Sequence, residues 1–377
     1  MPNRADIAIV GAGILGLAHA YAAARRGLRV VVFERGQRAA GASIRNFGLI
    51  WPIGQPHGAM HQMALRSRAI WLEVLEAAGL PYWPEGSLHL VYRDDEADVV
   101  REFIEKSPGL GYDCAWLNAS QVLQRSSAVQ PEGLIGGLWS PVDVTVDPRV
   151  ALAQLPDFLR SRFDVEFRFG CAARLIDLPL VEAGGERWSV DRAIVCSGED
   201  FESLFPHVYA AAGLTRVKLQ MLRTAPQPEG WRLGPALAAG LTLCFYPSFQ
   251  VCGSLAALQK RVAEEMPEYV HWGIHGLVSQ TAQGELTLGD SHEYGLCTDI
   301  FNKTEIDELI LRYIGGFLKA PEMRIAQRWY GVYAKHPEKP YLSLEPAPGV
   351  RIVTSPGGSG MTLSFGVAAK TIEELGL

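Results

Sequence analysis

The chain has 377 residues and a net charge of −6, with 48% hydrophobic and 20% charged residues. This length allows two domains of about 150 residues each, and the composition is ordinary for a globular enzyme. The acidic balance gives no electrostatic basis for binding nucleic acid or an anionic membrane. No two of the six cysteines form a CxxC pair, so neither a zinc site nor a thioredoxin-like motif is indicated, and we expect a reduced, cytoplasmic protein.

Residues 6–35 have the pattern of a βαβ unit that binds a dinucleotide. An apolar run leads into Gly11, Gly13 and Gly16, then an alanine-rich stretch and a second apolar run that ends at Glu34. Glycines at this spacing permit a tight turn, close approach of a pyrophosphate, and packing of the helix on the strand. The helix N-terminus favours phosphate, and Glu34 lies near the spacing of the acid that binds a ribose 2′-hydroxyl.

The same segment contains a long uncharged run, residues 7–24. Its length approaches the ~18 residues of a membrane helix, and it follows Arg4 as the core of a signal peptide would. The glycine spacing and the cationic residues after the run favour a folded, retained segment instead. We therefore expect no integral membrane segment.

Residues 41–48 read GASIRNFG. Small residues followed by Arg and Asn suit a loop that passes close to a phosphate or a ring. An ordinary Gly/Asn turn is the alternative, but the position directly after a dinucleotide unit favours contact with the ligand.

His57 and His61 have the i, i+4 spacing of a metal-binding pair. Because no acidic or cysteine partner lies near them in the sequence, we expect no metal site.

Apolar periodicity and turn residues predict the remaining elements. Helices are expected at about 59–77, 94–106, after a capping box at 118–121, and at 147–160, 304–318 and the last residues to 375. Strands are expected at 82–92, 133–139, 164–169, 192–196, 217–224, 241–246, 249–255, 285–288, 324–333 and 351–354. The chain becomes β-rich from Val217, which indicates a second structural unit.

Two further segments place small residues where a ligand would bind. The apolar strand at 192–196 ends in Ser197 and Gly198, and such strand ends belong at the carboxyl edge of an open α/β sheet. Residues 356–362, PGGSGMT, form a second glycine-rich turn that enters a helix. This turn suggests a second backbone contact with the same large ligand.

Together, the N-terminal fingerprint, the loop at 41–48, the strand end at 193–198, the run at 284–290 and the C-terminal GGSGMTLS resemble the D-amino-acid oxidase superfamily of flavoproteins, which includes glycine oxidase and sarcosine oxidase. The resemblance implies an α/β fold. A glutathione-reductase-like, Rossmann-type FAD-binding domain would interleave with an α+β substrate domain on a mixed or antiparallel sheet. Residues 1–80, 145–205 and 325–377 would form the FAD-binding domain, and residues 81–144 and 206–324 the substrate domain.

The resemblance also implies FAD as a cofactor. No cysteine stands where covalently linked members attach their flavin, so the FAD would be non-covalent. The ADP half would lie on the N-terminal unit, the phosphates and the flavin near the second loop, and the ribityl chain and ring edge near the C-terminal turn. The implied contact residues are Gly11, Gly13, Ile14, Leu15, Gly16, Glu34, Arg35, Ser43, Arg45, Asn46, Phe47, Gly48, Ser197, Gly198, Gly357, Gly358, Gly360, Met361 and Thr362.

One departure from the family bears on the substrate. Relatives that bind α-amino acids often carry a carboxylate-binding arginine just after a Trp-x-Gly run, and Tyr333 stands at that position here. Lys335, two residues on, would project to the same side of an extended segment. Tyr246 and His292 are the other polar candidates. The runs at 46–48 and 51–56 resemble a bacterial subgroup associated with aminophosphonate breakdown.

The implied activity is oxidation of a small primary or secondary amine, with hydride transfer to the flavin and hydrolysis of the imine to an aldehyde or oxo acid. An aminoalkylphosphonate or its N-methyl derivative is one candidate substrate, and D-amino acids, glycine and sarcosine are alternatives. Oxygen or a quinone would accept the electrons. A nicotinamide-dependent dehydrogenase, a non-catalytic FAD-bearing component of a larger complex and a tRNA-modifying flavoprotein remain rival interpretations. The acidic balance disfavours the last of these.

Overall fold

A six-stranded sheet forms the centre of one half of the molecule in the computed structural model, which describes residues 3–377. The first five strands are parallel and the last, at the edge, is antiparallel. Parallel strands need crossover connections, and the glycine turn with its helix supplies the first of them. The strands, in spatial order, are Glu166–Phe169, Val30–Glu34, Ile7–Val10, Arg192–Val195, Val350–Thr354 and Leu342–Ala347.

Different layers cover the two faces of this sheet. One face packs on the helices Ile14–Ala24, Gly360–Glu374, Ala59–Ala78 and Pro148–Phe163. The other face packs on a small sheet. Phe33 of the six-stranded sheet contacts Trp188 of the small sheet edge to face, with ring centroids 5.7 Å apart. The strands of this small sheet are Asn3–Arg4, Glu186–Ser189, Leu180–Ala183 and Ala173–Asp177.

A nine-stranded mixed sheet forms the second half. Only the pairing of Ala236–Ala238 with Ser87–Val91 is parallel among the strand pairs described for it. In spatial order the strands are Glu293–Gly295, Thr215–Thr224, Leu286–Gly289, Leu277–Gln280, Ala236–Ala238, Ser87–Val91, Gly136–Ser140 and Ala115–Asn118, with Ile325–Lys335 also pairing on Thr215–Thr224.

Helices bury the apolar face of the large sheet. Phe103, Leu258 and Ile310 are representative core residues, each fully buried and each from a different helix. The helices of this half are Asp94–Leu110, Ala119–Arg125, Gly240–Phe245, Leu255–Glu265, Pro267–His271 and Thr304–Gly315, and Pro206–Ala211 packs beside the first half. A three-stranded sheet of Leu49–Ile50, Val144–Val146 and Tyr82–Trp83 completes the strands over residues 3–377.

The predicted fold class is confirmed, and most predicted elements are present. The capping box at Asn118 and Gln121 forms as predicted, and Asp147 caps the following helix by accepting hydrogen bonds from the N–H groups of Arg149 and Val150. Both N-caps accept hydrogen bonds from N–H groups that the first turn of a helix leaves unpaired. Because each cap involves residues only two or three positions apart, the sequence alone was enough to predict it.

Two predicted strands are wrong. Residues 241–246 lie in the helix Gly240–Phe245, and residues 249–255 lie in the 3₁₀ turn Pro247–Val251 and at the start of Leu255–Glu265. Short apolar runs fit a buried strand or a buried helix equally well. Here the Thr242 hydroxyl donates to the His275 carbonyl and the Leu241 N–H donates to Tyr313, and such distant contacts are invisible in the local pattern.

The expected domain boundary at residue 325 does not coincide with the sheets. Ile325–Lys335 pairs with Thr215–Thr224 over nearly its whole length, so the strand belongs to the nine-stranded sheet. The third segment on the six-stranded sheet therefore begins after residue 335, at Leu342–Ala347.

None of the helices over residues 3–377 is both long enough and apolar enough to cross a membrane.

Candidate active site

The N-terminal glycine turn is too tightly packed for side chains. A Cβ on Gly16 would lie 1.8 Å from the Gly11 carbonyl oxygen, and one on Gly11 would lie 2.4 Å from the Cys196 carbonyl oxygen. Gly11 also has φ +98°, a conformation that L side chains rarely adopt. The turn leads into Ile14–Ala24, whose N-cap is Gly13. Because a helix N-terminus presents unpaired N–H groups and partial positive charge, it suits an anion.

The carboxylate of Glu34 folds back onto this turn. Its Oε2 accepts a hydrogen bond of 2.9 Å from the Ala12 N–H, and its Oε1 accepts one of 2.8 Å from the Gly36 N–H. Glu34 ends the strand next to the glycine turn. The structure thus brings together the glycines and the acid that the sequence spacing singled out.

The second loop reaches the same helix N-terminus. The Ser43 hydroxyl accepts a hydrogen bond of 2.9 Å from the Ile14 N–H, and a Cβ on Gly13 would lie 3.1 Å from that hydroxyl. Leu15, one residue further, is half-buried and its carbonyl contacts His19.

Other residues of this loop use their side chains within the protein. The Asn46 amide donates to the Ala42 and Ser43 carbonyls and accepts from the Gly48 N–H, so it holds the loop's own conformation. The Arg45 guanidinium donates to the Tyr330 carbonyl at 3.2 Å. A Cβ on Gly48 would lie 1.9 Å from the Val146 carbonyl oxygen, so only glycine fits there.

Three predicted residues near the carboxyl edge of the six-stranded sheet also have protein partners. Ser197 donates to the Asp200 carbonyl and lies 2.9 Å from the Tyr209 hydroxyl. Arg35 forms an ion pair of 2.7 Å with the Asp200 carboxylate. Gly198 has φ +67° and its carbonyl accepts from the Thr354 hydroxyl.

The C-terminal turn is tied to residues 49–55. The Thr362 hydroxyl accepts a hydrogen bond of 2.9 Å from the Trp51 N–H, and the Gln55 amide donates to the Ser359 hydroxyl at 3.0 Å. The Met361 carbonyl accepts from the Trp71 indole at 2.7 Å. Residues 51–55 and residues 359–362, which are far apart in the sequence, therefore lie side by side.

A strand from the large sheet faces this turn. A Cβ on Gly358 would lie 3.5 Å from the Tyr333 hydroxyl, and one on Gly357 would lie 4.0 Å from Lys335 Cγ. Tyr333 is buried against an apolar cluster that includes Val217, Leu219 and Met221, with Phe47 and Trp329 packed beside it. Lys335 is half-buried, and its Nζ lies 3.4 Å from the Tyr294 hydroxyl.

Tyr246 packs against residues 51–54, which lie in the segment tied to the C-terminal turn. Its ring lies 6.1 Å from that of Trp51, and a Cβ on Gly54 would lie 2.6 Å from Tyr246 Cδ1. The Trp51 ring is in turn 5.4 Å from that of His89. Aromatic side chains therefore surround the segment that contacts the C-terminal turn.

Three buried titratable side chains complete the site. His275 Nε2 lies 3.0 Å from Asp290 Oδ1, and His292 Nε2 lies 3.9 Å from Asp290 Oδ2. The Phe245 ring stacks on that of His275 with centroids 3.9 Å apart. Of these residues only His292 was predicted from the sequence. His275 and Asp290 lie beside each other because Leu277 and Gly289 are partners in adjacent strands, and this register was not evident from the sequence.

Burial dominates the electrostatics of the site. It lowers the pKa of His292 to about 4, so that imidazole is neutral near pH 7. Burial alone would raise the pKa of Asp290, but the neighbouring His275 and His292 outweigh it and hold that pKa below its ordinary value. Burial raises the pKa of both Tyr246 and Tyr333, with the Asp290 charge adding to the effect, so both hydroxyls stay protonated.

The DAO family model, described as FAD dependent oxidoreductase, matches residues 6–374 of the chain. The chain belongs to this family. Its members' cofactor, FAD, is therefore the ligand to test against the two glycine turns.

Individual relatives of this FAD-dependent oxidoreductase agree with that family. Glycine oxidase from Geobacillus kaustophilus is 30% identical over 162 residues, which is 41% of this chain and 43% of the relative, so the match spans less than half of either protein. A component of an opine oxidase from Rhizobium meliloti is 26% identical over 255 residues, which is 63% of this chain and 67% of the relative. The crystal structure of the Geobacillus glycine oxidase superposes with a TM-score of 0.77 at 19% identity, covering 99% of this chain and 94% of that one. This superposition shows the shared fold.

The residues present fit FAD. A side chain at Gly13 would fill the space beside Ser43, whereas a pyrophosphate needs that space empty. The Glu34 carboxylate lies at the turn, where a ribose would need an acceptor. When bound, FAD supplies a hydride acceptor.

Proposed function

We propose that this FAD-dependent oxidoreductase oxidises the carbon–nitrogen bond of a small amine that carries an anionic group at its far end. An aminoalkylphosphonate or its N-methyl derivative is the substrate class we favour. The observation that carries the proposal is the pairing of Tyr333 and Lys335 on one strand, both beside the C-terminal glycine turn. The site would thus hold an anion with a tyrosine hydroxyl and a lysine point charge.

The proposed FAD contacts are those expected from the sequence. The N-terminal turn and Glu34 would hold the ADP half, the loop at 41–48 the phosphates and the flavin, and the turn at 357–362 the ribityl chain and ring edge. We propose a cofactor domain of residues 1–80, 145–205 and 336–377, with the remainder forming the substrate domain. The first and last of these segments meet at the bond between Trp51 and Thr362.

In the proposed reaction the carbon bearing the nitrogen would lose a hydride, for which FAD would be the acceptor when bound, and the nitrogen of a primary or secondary amine would lose a proton to solvent. Water would then hydrolyse the resulting imine to an aldehyde or oxo acid plus ammonia or a smaller amine. The protein's contribution is position and environment. Aromatic side chains, Tyr246, Tyr333 and Trp329, would exclude water and hold the substrate carbon in place. Their apolar surroundings disfavour a charged ammonium, so the amine would react in its neutral form without an obligatory general base.

Lysine and tyrosine suit a tetrahedral anion better than a planar one. A carboxylate is best matched by the bidentate fork of an arginine, which holds charge and geometry together. A lysine is a compact point charge with rotatable donors. With Tyr333 at the position where amino-acid-binding relatives often carry the arginine, simple α-amino acids should be poor substrates.

Two other functions have some support. The similarity to glycine oxidase from Geobacillus kaustophilus favours glycine, sarcosine or a D-amino acid as the substrate. The similarity to a protein that is named as one component of an opine oxidase favours an FAD-bearing polypeptide that works only in a complex. Oxygen and a quinone are the candidate electron acceptors for each function.

A comparison of substrates tests the proposal. We would measure kcat/KM for 2-aminoethylphosphonate, its N-methyl derivative, sarcosine and D-alanine with oxygen and with a soluble quinone. We expect one of the phosphonates to have the highest value. A preference for sarcosine or D-alanine would contradict the proposed substrate class, and absence of turnover with every amine and both acceptors would favour a role as one component of a complex.

A further inference from the structure

His275, Asp290 and His292 form a cluster whose donor atoms converge. The separations from Asp290 are 3.0 Å for His275 Nε2 and 3.9 Å for His292 Nε2, and the donor atoms of all three residues lie within 4.8 Å of one another. In a tetrahedral zinc site with bonds of about 2.1 Å, neighbouring ligand atoms are about 3.4 Å apart. The two separations from Asp290 bracket that value, and the 4.8 Å limit on all three puts the side chains close enough to share one ion after adjustment of their rotamers.

The hydrogen bonds around His292 orient it as a ligand. Its Nδ1 lies 2.9 Å from the Gly273 carbonyl oxygen, which can only accept, so Nδ1 carries the proton. In the neutral ring, Nε2 then carries a lone pair and faces the Asp290 carboxylate. A ring held by a backbone carbonyl on one nitrogen while the other is free for a metal is the usual arrangement of metal-binding histidines.

The carboxylate at the centre of the cluster has an unused acceptor. Asp290 Oδ1 is buried and makes no aligned hydrogen bond within residues 3–377, although His275 Nε2 lies 3.0 Å away. A positive charge placed between the buried carboxylate and the lone pair of His292 would be attracted by both.

We propose that His275, Asp290 and His292 bind a divalent metal ion of the zinc class. Two imidazoles and one carboxylate are a common ligand set for such ions, and three protein ligands leave one coordination position open, as in catalytic rather than structural zinc sites. The Nδ1 of His275 is buried without a partner in the described chain. Only one of the two imidazoles has a hydrogen bond on its other nitrogen. We therefore expect the metal to bind about 10–100-fold more weakly than in a site where both imidazoles have one.

The open position has a consequence for the substrate, which rests on the proposed function. Lys335 Nζ lies 3.4 Å from the Tyr294 hydroxyl, and the Tyr294 ring lies 6.4 Å from that of His292. The Phe245 ring covers the imidazoles on one side. A phosphonate oxygen bound to the metal would therefore also lie near the lysine charge. The metal would provide the positive charge that an arginine provides in amino-acid-binding relatives.

Metal titration of the purified, FAD-containing protein tests the site itself. After dialysis against a chelator, Zn²⁺ is titrated and the heat of binding is measured. We expect one Zn²⁺ per chain, and at least about 100-fold weaker binding in His292→Ala and in Asp290→Asn. The control variant His271→Ala removes an exposed histidine outside the cluster, and it should bind Zn²⁺ as tightly as the unchanged protein does. Retained FAD absorbance in each variant shows that it is folded.

Two results would overturn the metal site: no stoichiometric Zn²⁺ binding by the unchanged protein, or equal binding after either cluster substitution. Separate substrate measurements keep the proposals apart. If Zn²⁺ binds at the cluster and amines reduce the flavin equally with and without it, the metal site stands and its link to the substrate anion is wrong. If Zn²⁺ binds and no amine reduces the flavin, the metal site stands and the proposed function fails.

Discussion

Tyr333 and Lys335 leave one strand on the same side and both approach the glycine turn before the last helix. The Tyr333 hydroxyl lies 3.5 Å from the point where a Cβ on Gly358 would be, and Lys335 Cγ lies 4.0 Å from the corresponding point on Gly357. This relationship connects the nine-stranded sheet with the backbone proposed to line the cofactor. In the proposed function these two side chains would hold the substrate's anionic end.

Removing the lysine charge should weaken binding of an anionic substrate. We expect Lys335→Met to raise KM for the preferred aminophosphonate about 10- to 100-fold, since a hydrogen bond to a charged group contributes about 1.5–3 kcal/mol. The KM of N-methylpropylamine, which has no anionic group, should not change. Lys339→Met removes an exposed lysine from the following turn and serves as the control. Unchanged kinetics in a Tyr333→Phe/Lys335→Met double variant would remove this pair from the site.

A larger residue at Gly13 should prevent FAD binding. A Cβ there would already lie 3.1 Å from the Ser43 hydroxyl, and the valine methyl groups would fill the space that a pyrophosphate needs. We expect Gly13→Val to be purified as a folded, colourless protein, with folding checked by circular dichroism. Gly109→Ala, where a Cβ meets nothing within 4 Å, should retain FAD. Stoichiometric FAD in folded Gly13→Val would contradict the assignment of the N-terminal turn.

The acid at the glycine turn should contribute to FAD affinity. Glu34 accepts hydrogen bonds from two backbone N–H groups, and we propose that it also accepts from the ribose. Glu34→Gln keeps the shape but removes the charge, and hydrogen bonds to charged groups contribute about 1.5–3 kcal/mol. We expect the Kd of FAD to rise about 10- to 100-fold in a fluorescence titration of the apoprotein. A Kd within twofold of the unchanged protein would show that Glu34 does not contact the cofactor.

Asp143 should make stability depend on pH. Burial raises its pKa to about 7, despite hydrogen bonds from Ser87 and the Ile53 N–H. A raised carboxyl pKa means that the folded state binds more protons, so this contribution is full below about pH 4 and is lost as the pH rises toward 7. The loss is at most about 1.4 kcal/mol per pH unit. Asp143→Asn should remove that slope, measured as the difference between the two proteins in urea unfolding from pH 4 to 7. Parallel curves would contradict it.

Local chemistry accounts for what the sequence revealed. The glycine turn has no room for a side chain at Gly11 or Gly16, where a Cβ would lie 2.4 and 1.8 Å from backbone carbonyl oxygens. The helix caps at Asn118 and Asp147 use neighbours within three residues. Such features leave a fixed pattern in the sequence. The fold class, the FAD-binding family and the main helices followed from these patterns and from the family resemblance.

Distant contacts account for what the sequence did not reveal. His275 and Asp290 come together because two antiparallel strands pair with Leu277 opposite Gly289, and neither histidine nor aspartate has a local motif there. The helix Gly240–Phe245 carries an apolar run that also suits a strand, and its partners lie more than 30 residues away. Side chains such as Arg45 and Asn46 bind backbone carbonyls, which their residue types alone did not indicate.

The central claim is that bound FAD is reduced by amines. The most direct test is the visible spectrum of the purified protein under anaerobic conditions, recorded as primary and N-methylated amines are added one class at a time. We predict that the absorbance of the oxidised flavin is lost with at least one amine, most rapidly with an aminoalkylphosphonate or its N-methyl derivative. If amines of every class leave the flavin oxidised while hydroxy acids reduce it, the assignment of this protein to amine oxidation is wrong.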